Sequence, residues 1–239
     1  MKKRLFFWLA PFIAKRILIP VATKGYNKFI RRSMMIAMLI LGGAFAQAQT
    51  AKAMLADVTA KIKSYDNIAI DYKYALDNES ASVSQETRGD LILQGDLYKL
   101  NLLGATQMYD GKMIYTIKPE DEEVTISAMS DQDDTSITPS KMLSFFNEGY
   151  VQELDIVQTV KGRAIQYIKL TPMDSNSDVK SALLGIDVQT KHIYKLIFTE
   201  NSGTKITITV NSFKPNQPLS KKAFIFDEAK YADYYINRL

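Results

Sequence analysis

The chain has 239 residues, a formal net charge of +4, no cysteine and one histidine. Without cysteine there can be no disulfide, no thiol catalysis and no thiolate metal site, and the usual zinc sites need more than one histidine. A chain of this length can bury one sizeable core.

The first predicted element is an export leader. Residues 34–46 carry no charge and follow two arginines, but they number only thirteen, whereas a membrane-spanning helix needs about 20 apolar residues. Ala46 and Ala48 are small residues at the two positions that a signal peptidase reads, so we expect cleavage between Ala48 and Gln49. The predicted organisation is a leader over residues 1–48 and one soluble, exported domain over residues 49–239.

Removal of this leader reverses the sign of the charge. Residues 1–48 carry nine of the 30 Lys and Arg and no acidic residue, so the domain that follows has a formal charge of −5. We therefore expect no nucleic-acid partner. Gln49 cannot carry the thioether lipid of a bacterial lipoprotein, because that modification needs cysteine. The leader is long because a second apolar stretch, residues 5–22, lies upstream and is interrupted by Lys15 and Arg16. A start codon called too early or an extended basic n-region explains this stretch better than a transmembrane helix does, because of that internal pair of charges.

An amphipathic helix is predicted over residues 51–64, because apolar residues recur there at helical spacing. Its apolar side consists of Met54, Leu55, Val58 and Ile62. The period changes to two in residues 67–76, which predicts the first strand.

Short predicted strands follow in hairpin order. Their segments are 88–94, 96–104, 106–119, 122–128, 164–172, 181–190, 192–201, 204–213 and 221–228. Gly95-Asp96 and Asp110-Gly111 supply hairpin turn chemistry. About ten or eleven strands and two or three short helices predict a mainly β fold with α, an incomplete (half) antiparallel β-barrel whose concave side is covered by helices.

A second helix is predicted over residues 139–148, with Thr138 as N-cap, Pro139 at the first position and Gly149 just past the end. Its apolar residues are Met142, Leu143, Phe145 and Phe146. The acidic segment 131–136 before it is a predicted mobile loop, and it lacks the glycine and glutamate of an EF-hand.

Nothing in the pattern of titratable residues indicates catalysis. His192 follows a turn at residues 189–191, and the chain has no Gly-x-Ser-x-Gly elbow. We interpret His192 as a surface histidine rather than a triad member. No glycine-rich phosphate loop occurs between a strand and a helix. We therefore expect no enzyme activity, no metal and no cofactor.

The predicted strands place a large apolar set on one side of the sheet. Its members are Ile70, Tyr72, Tyr74, Leu91, Leu93, Tyr194, Leu196, Phe198, Ile206 and Ile208. Such a set either fills its own interior or leaves a cavity. A strongly curved sheet with so little helix to fill it favours some internal space, as in small barrels that hold one apolar ligand.

The order of these segments resembles one known family. The segments GDLILQGDLYKLNL, YDGKMIYTIKPEDEEVTIS, TPSKMLSFF, YIKLTP, SGTKITITVNSF and AFIFDEAKY, placed after a leader and an amphipathic helix, resemble the periplasmic outer-membrane lipoprotein carriers, LolA. The resemblance covers the chain from residue 51 to its end. It implies a monomeric, helix-lidded half-barrel that carries the acyl chains of lipoproteins from an inner-membrane ABC transporter to an outer-membrane acceptor.

The resemblance also implies an arginine that latches the lid, and here the chain departs from the family. That arginine would fall near Gln94 or Gly95, neither of which can replace it. Arg88 is a possible substitute, although we expect it to face solvent. The candidate lids are the helices at 51–64 and 139–148. Two other interpretations stay open, an envelope sensor or regulatory module and a secreted hydrolase.

Overall fold

A computed structural model describes residues 50–129 and 138–239. The predicted leader, its cleavage site between Ala48 and Gln49, and the acidic segment 131–136 lie outside the described residues. None of the helices in the described part of the chain is long and apolar enough to cross a membrane.

Twelve strands of the described residues form one sheet. They are β1 (Ile68–Asn78), β2 (Val83–Gln94), β3 (Leu97–Leu102), β4 (Ala105–Tyr109), β5 (Met113–Lys118), β6 (Glu123–Ala128), β7 (Tyr150–Val160), β8 (Arg163–Pro172), β9 (Val179–Asp187), β10 (Ile193–Glu200), β11 (Lys205–Pro215) and β12 (Tyr235–Arg238). Their order is β12-β6-β5-β4-β3-β2-β1-β11-β10-β9-β8-β7. Because β12 and β7 stay at opposite edges, the sheet is open, and the prediction of an unclosed, mainly β fold is confirmed.

Two strands, β7 and β12, were absent from the sequence prediction, and one predicted strand was wrong. The pairing of β12 with β6 is parallel. The edge strand β7 carries mostly exposed residues and a register shift between Leu154 and Val157, so it lacks a regular apolar alternation. Residues 221–228 were predicted as a strand, but they form turns and begin a 3-10 helix.

The helix over 50–63, here α1, packs against the sheet as its apolar pattern predicts. Ala51, Leu55 and Val58 are at most 1% exposed and form one core cluster with side chains of β8, β9 and β10. Leu184 and Ile186 lie in the same cluster and are fully buried. Helix α1 therefore fills the concave side of the sheet over these three strands.

The second predicted helix is shorter than expected. Only Pro139–Met142 is α-helical, here α2, and Phe145–Asn147 forms a 3-10 turn. The predicted cap is present, because the Thr138 side chain accepts a hydrogen bond from the Lys141 backbone N–H at 3.3 Å. We call residues 138–147 the lid segment.

Residues 216–239 run from the end of β11, in the interior of the sheet, to the edge next to β6, where they form β12. On the way the Phe226 ring stacks on Tyr115 of β5 at 4.5 Å and on Tyr231 at 5.4 Å. Tyr115 pairs with Met108 of β4, whereas its neighbour Ile114 pairs with Tyr109, which packs into the concave core. Since successive strand residues point to opposite sides, Tyr115 points to the convex side. Residues 216–239, whose Phe226 stacks on Tyr115, therefore cover the convex side.

Candidate functional site

Four half-buried apolar side chains form a continuous strip on the concave side of the sheet. Tyr74 of β1 pairs with Ile208 of β11, and Ile206 of β11 pairs with Phe198 of β10. Neighbouring strands lie about 4.8 Å apart, so the four side chains adjoin. All four retain partial exposure although all are apolar or aromatic. We call them the apolar strip, and they offer a surface to an apolar ligand.

The lid segment covers one side of this strip. The Phe145 ring lies 5.4 Å from Phe198 and 5.6 Å from Tyr150, measured between ring centroids. Phe145 is only half-buried, whereas its neighbour Phe146 is fully buried in the core cluster under α1. The two adjacent rings therefore differ in role, since Phe146 anchors the segment and Phe145 lies over the strip.

Few polar contacts hold the lid segment. The Thr59 hydroxyl of α1 donates to Asn147 Oδ1 at 3.1 Å, and the Gln152 amide of β7 donates to the Phe146 carbonyl at 2.7 Å. Segments with few tethers open locally at low free-energy cost. With Phe146 as the anchor, the part of the lid segment around Phe145 can therefore shift without disturbing the sheet.

A cavity of about 390 Å³ opens beside the lid segment. Its apolar wall includes Ile62, Ile68, Leu93 and Leu143, and its rim carries Lys63, Asp66, Asp96 and Lys141. This volume falls in the range of about 300–1,000 Å³ that is typical of ligand pockets. The concave side is thus filled under α1 and open near the lid segment, and an amphipathic ligand fits an apolar wall with a charged rim.

The link between α1 and β1 is held by an aromatic contact that the sequence prediction missed. The Tyr65 hydroxyl and His192 Nε2 lie 2.7 Å apart, and the imidazole stacks on Phe213 at 4.0 Å. His192 is half-buried at the surface, and its packing against Tyr65 and Phe213 was not predicted. Tyr65 lines the cavity. The contact therefore fixes one wall of the cavity to β10 and β11.

Protonation of His192 is expected to destabilise the fold in mild acid. Burial, and next the Lys61 ammonium, lower the pKa of His192, while Asp187 acts in the opposite direction. The unfolded chain then takes up a proton before the folded chain does, so the free energy of unfolding should fall as the pH drops below about 6.5. Urea unfolding at pH 7.5 and at pH 5.5 measures this loss.

The matched variant is His192→Gln, which keeps a polar side chain but cannot titrate. Its loss of stability between the same two pH values should be smaller than that of the unmodified chain, because only carboxylates then contribute. Equal losses in the two proteins would contradict a role for His192 in holding this wall.

Several predicted cavity residues are structural. The Tyr72 hydroxyl donates to the Asn101 carbonyl at 3.0 Å, and burial, helped by Asp90, raises the pKa of Tyr72 to about 12. Its ring lies over Gly89, where an added Cβ would collide with it. The other packed members of the predicted set are Leu55, Val58, Ile70, Leu91, Phe146 and Leu196, whereas Leu93, also buried, lines the cavity of about 390 Å³.

Three further residues lie outside the apolar strip and the core clusters, and one of them, Arg88, faces solvent as expected. Tyr194 lies at a register irregularity between Ile193 and Lys195, and its ring faces the Arg163 guanidinium at 5.7 Å instead of the apolar strip. Its assignment to the cavity was therefore wrong. Arg88 pairs with Lys73, whose neighbours Tyr72 and Tyr74 point inward, so Arg88 faces outward and is exposed. Met142 is half-buried but belongs to no core cluster of the described residues.

Asn67 is a further residue that the sequence prediction missed. Its buried side chain bonds the Gln217 backbone twice, accepting from N–H at 2.9 Å and donating to the carbonyl at 2.9 Å. The partners are 150 residues apart, so no local pattern indicates the contact. The only local signal was that the predicted first strand, residues 67–76, begins with this asparagine.

No group of three His, Asp or Glu side chains in residues 50–129 and 138–239 is placed to hold a metal ion. The geometry thus offers apolar surface, a lid segment and a charged rim, and the described residues bring no acid, base and nucleophile together around the strip.

The sequence matches one family model. That model, described as outer membrane lipoprotein carrier protein LolA, matches residues 64–227. The matched range contains β1 to β11 and therefore the whole apolar strip and the lid segment. No curated protein matches the chain in sequence.

Solved structures resemble the chain at low sequence identity. An uncharacterised conserved protein from Thermus thermophilus has a TM-score of 0.51 and 9% identity, over 77% of this chain and 98% of that one. The lipoprotein LppX from Mycobacterium tuberculosis has a TM-score of 0.49 and 14% identity, over 72% and 98%. A LolA superfamily protein from Nitrosomonas europaea has a TM-score of 0.39 and 12% identity, over 74% and 98%. At such identity the likeness to the Thermus protein shows the fold alone.

Proposed function

The chain belongs to the LolA family of outer membrane lipoprotein carrier proteins, and we propose that it is itself a periplasmic carrier. In this proposal the concave side of the sheet binds the acyl chains of lipoproteins. The chain receives them from a lipoprotein-releasing ABC transporter of the inner membrane and passes them to an acceptor at the outer membrane. No catalytic step is part of the proposal.

The apolar strip under Phe145 is the observation that supports this function most directly. Tyr74, Phe198, Ile206 and Ile208 are half-buried, and the Phe145 ring of the lid segment covers the Phe198 side of this strip. Apolar side chains in a finished core are normally fully buried, as those under α1 are. An incompletely covered strip suits a ligand that completes the covering, and the lid segment that covers one side of it also lines the separate cavity of about 390 Å³.

The physical need for such a site is large. Each acyl CH₂ group exposed to water costs about 0.8 kcal/mol, so a chain of roughly a dozen such groups costs on the order of 10 kcal/mol. Aliphatic and aromatic side chains offset this cost without recognising a particular protein. A strip of this composition therefore suits clients that share only their lipid.

Loading requires the lid segment to lift, and here the chain differs from the arginine latch that the family resemblance implies. Gln94 and Gly95 are both exposed at the β2–β3 turn, and Arg88 faces away from the lid. In this chain the Thr59–Asn147 and Gln152–Phe146 hydrogen bonds and the Phe145 contacts hold the segment. Acyl chains entering at the strip would displace Phe145 first.

Purification from an envelope fraction tests the function. We expect native mass spectrometry to detect acyl lipid bound to the protein, and we expect delipidated protein to take up a fluorescent fatty-acyl probe. Protein that is repeatedly empty and does not bind the probe would contradict the carrier and favour the sensor or regulatory module. Ester hydrolysis that disappears on substitution of His192 would instead revive the hydrolase.

A further inference from the structure

We propose that residues 219–226 form a membrane-docking lip, and that the partner of this lip is an anionic bilayer surface. This inference rests on the proposed function, because a carrier that exchanges lipid with membranes must bring its cavity to them. The lip follows β11 and lies beside the β2–β3 turn at the mouth of the cavity.

The lip and the chain just before it carry a charge opposite to that of the domain. Residues 211–226 contain three lysines, Lys214, Lys221 and Lys222, and no acidic residue, whereas residues 49–239 carry a formal charge of −5. All three lysines are exposed. Lysines close to an anionic membrane each strengthen binding by roughly fivefold. The lip itself is therefore positive, whereas Asp110 lines the groove behind it and Asp227 and Glu228 follow it directly in the chain.

One apolar side chain projects from the lip. Ile225 is 60% exposed, although its neighbour Phe224 is only 7% exposed and Phe226 stacks on Tyr115 at 4.5 Å. The backbone is held by turn hydrogen bonds from Ala223 N–H to the Ser220 carbonyl at 2.9 Å and from Ile225 N–H to the Lys222 carbonyl at 3.2 Å. The exposed isoleucine is therefore presented by an anchored turn.

The lip is joined to the rim of the cavity. A groove of about 720 Å³ behind the lip is lined by Asn67, Gln94 and Phe224, and the cavity on the other side of the sheet also reaches Asn67 and the adjacent Gly95. Asn67 bonds Gln217, which immediately precedes this region, through both atoms of its side-chain amide. Contact of the lip with a bilayer would thus place the cavity mouth near that bilayer.

A membrane fits this surface better than a protein partner does. A stable protein interface usually buries about 800 Å² on each partner and has an apolar centre. One projecting isoleucine among lysines supplies no such centre, but it does supply what interfacial membrane binding uses, an apolar wedge with surrounding cations.

Vesicle sedimentation tests the lip. The exported chain, purified in the same processed form for every variant, should bind vesicles of phosphatidylcholine with about 30 mol% phosphatidylglycerol more tightly than vesicles of phosphatidylcholine alone. The double variant Lys221→Glu, Lys222→Glu should weaken binding by roughly tenfold or more, and Ile225→Ser should weaken it by roughly threefold to tenfold. All three side chains are exposed, so the variants should fold.

The matched control is the double variant Lys180→Glu, Lys205→Glu, which makes the same charge change at the far end of β9 and β11 and should bind vesicles normally. Failure of the unmodified chain to bind, or equal losses in lip and control variants, would overturn the lip and favour a protein partner. Uptake of the fatty-acyl probe is measured separately in each variant. Normal uptake without vesicle binding overturns the lip alone, whereas vesicle binding without any uptake overturns the carrier function instead.

Discussion

Replacement of Phe198 by aspartate is expected to abolish retention of acyl lipid. Phe198 forms the β10 end of the apolar strip, paired with Ile206 and 5.4 Å from the Phe145 ring. A carboxylate there must either lose its hydration when an acyl chain enters or keep water in the strip, and the first alternative costs several kcal/mol. Native mass spectrometry and uptake of a fatty-acyl probe would measure the loss.

The chain offers a matched control on the same strand. Tyr194→Asp introduces the same charge four residues earlier, but Tyr194 lies against Arg163 and Lys195, away from the strip. Its uptake should be close to normal. Phe145→Asp should also abolish uptake, with little loss of folding because Phe145 is only half-buried. Normal uptake in both Phe198→Asp and Phe145→Asp would place the lipid site elsewhere.

Replacement of Phe146 by alanine is expected to have the largest effect on stability. Phe146 is 0% exposed and packs under α1 with side chains of β8 to β10. Loss of a fully buried phenylalanine lowers the free energy of unfolding by about 3–5 kcal/mol. Phe145→Ala should cost only about 1–2 kcal/mol, because part of that ring is already in water.

Urea unfolding of the two alanine variants measures this difference, and lipid uptake supplies the complementary readout. Phe145→Ala should lose much of its lipid uptake but little of its free energy of unfolding. Phe146→Leu, which refills much of the volume, should recover most of the stability that Phe146→Ala loses. Equal stability losses in the two alanine variants would mean that the adjacent rings do not have the separate roles described above.

Much of the fold follows from local patterns in the sequence. The alternation in β1 and in β11 identifies their inward residues, because a strand with one buried side must alternate. The helical spacing of Leu55 and Val58 likewise identifies the buried side of α1. Turn chemistry at Gly95 and Gly111, both of which have positive φ angles, correctly separates the neighbouring strands.

The failures have physical causes that a local pattern does not contain. Tyr194 was misplaced because a single register irregularity changes which side of the sheet a residue faces. Edge strand β7 was missed because a strand with one neighbour need not bury a complete side. His192 and Asn67 take their roles from Tyr65 and Gln217, which lie 127 and 150 residues away in the chain.

The place of β1 next to β11 has a consequence for how the protein reaches its working form. These two strands are neighbours in the sheet but lie near opposite ends of the domain's sequence. They can therefore pair only after almost the whole chain has been synthesised or translocated. Pairings of such long sequence separation form late and slowly. Half of the apolar strip belongs to β11, and a nascent or partly translocated chain therefore has no assembled surface with which to capture lipid prematurely.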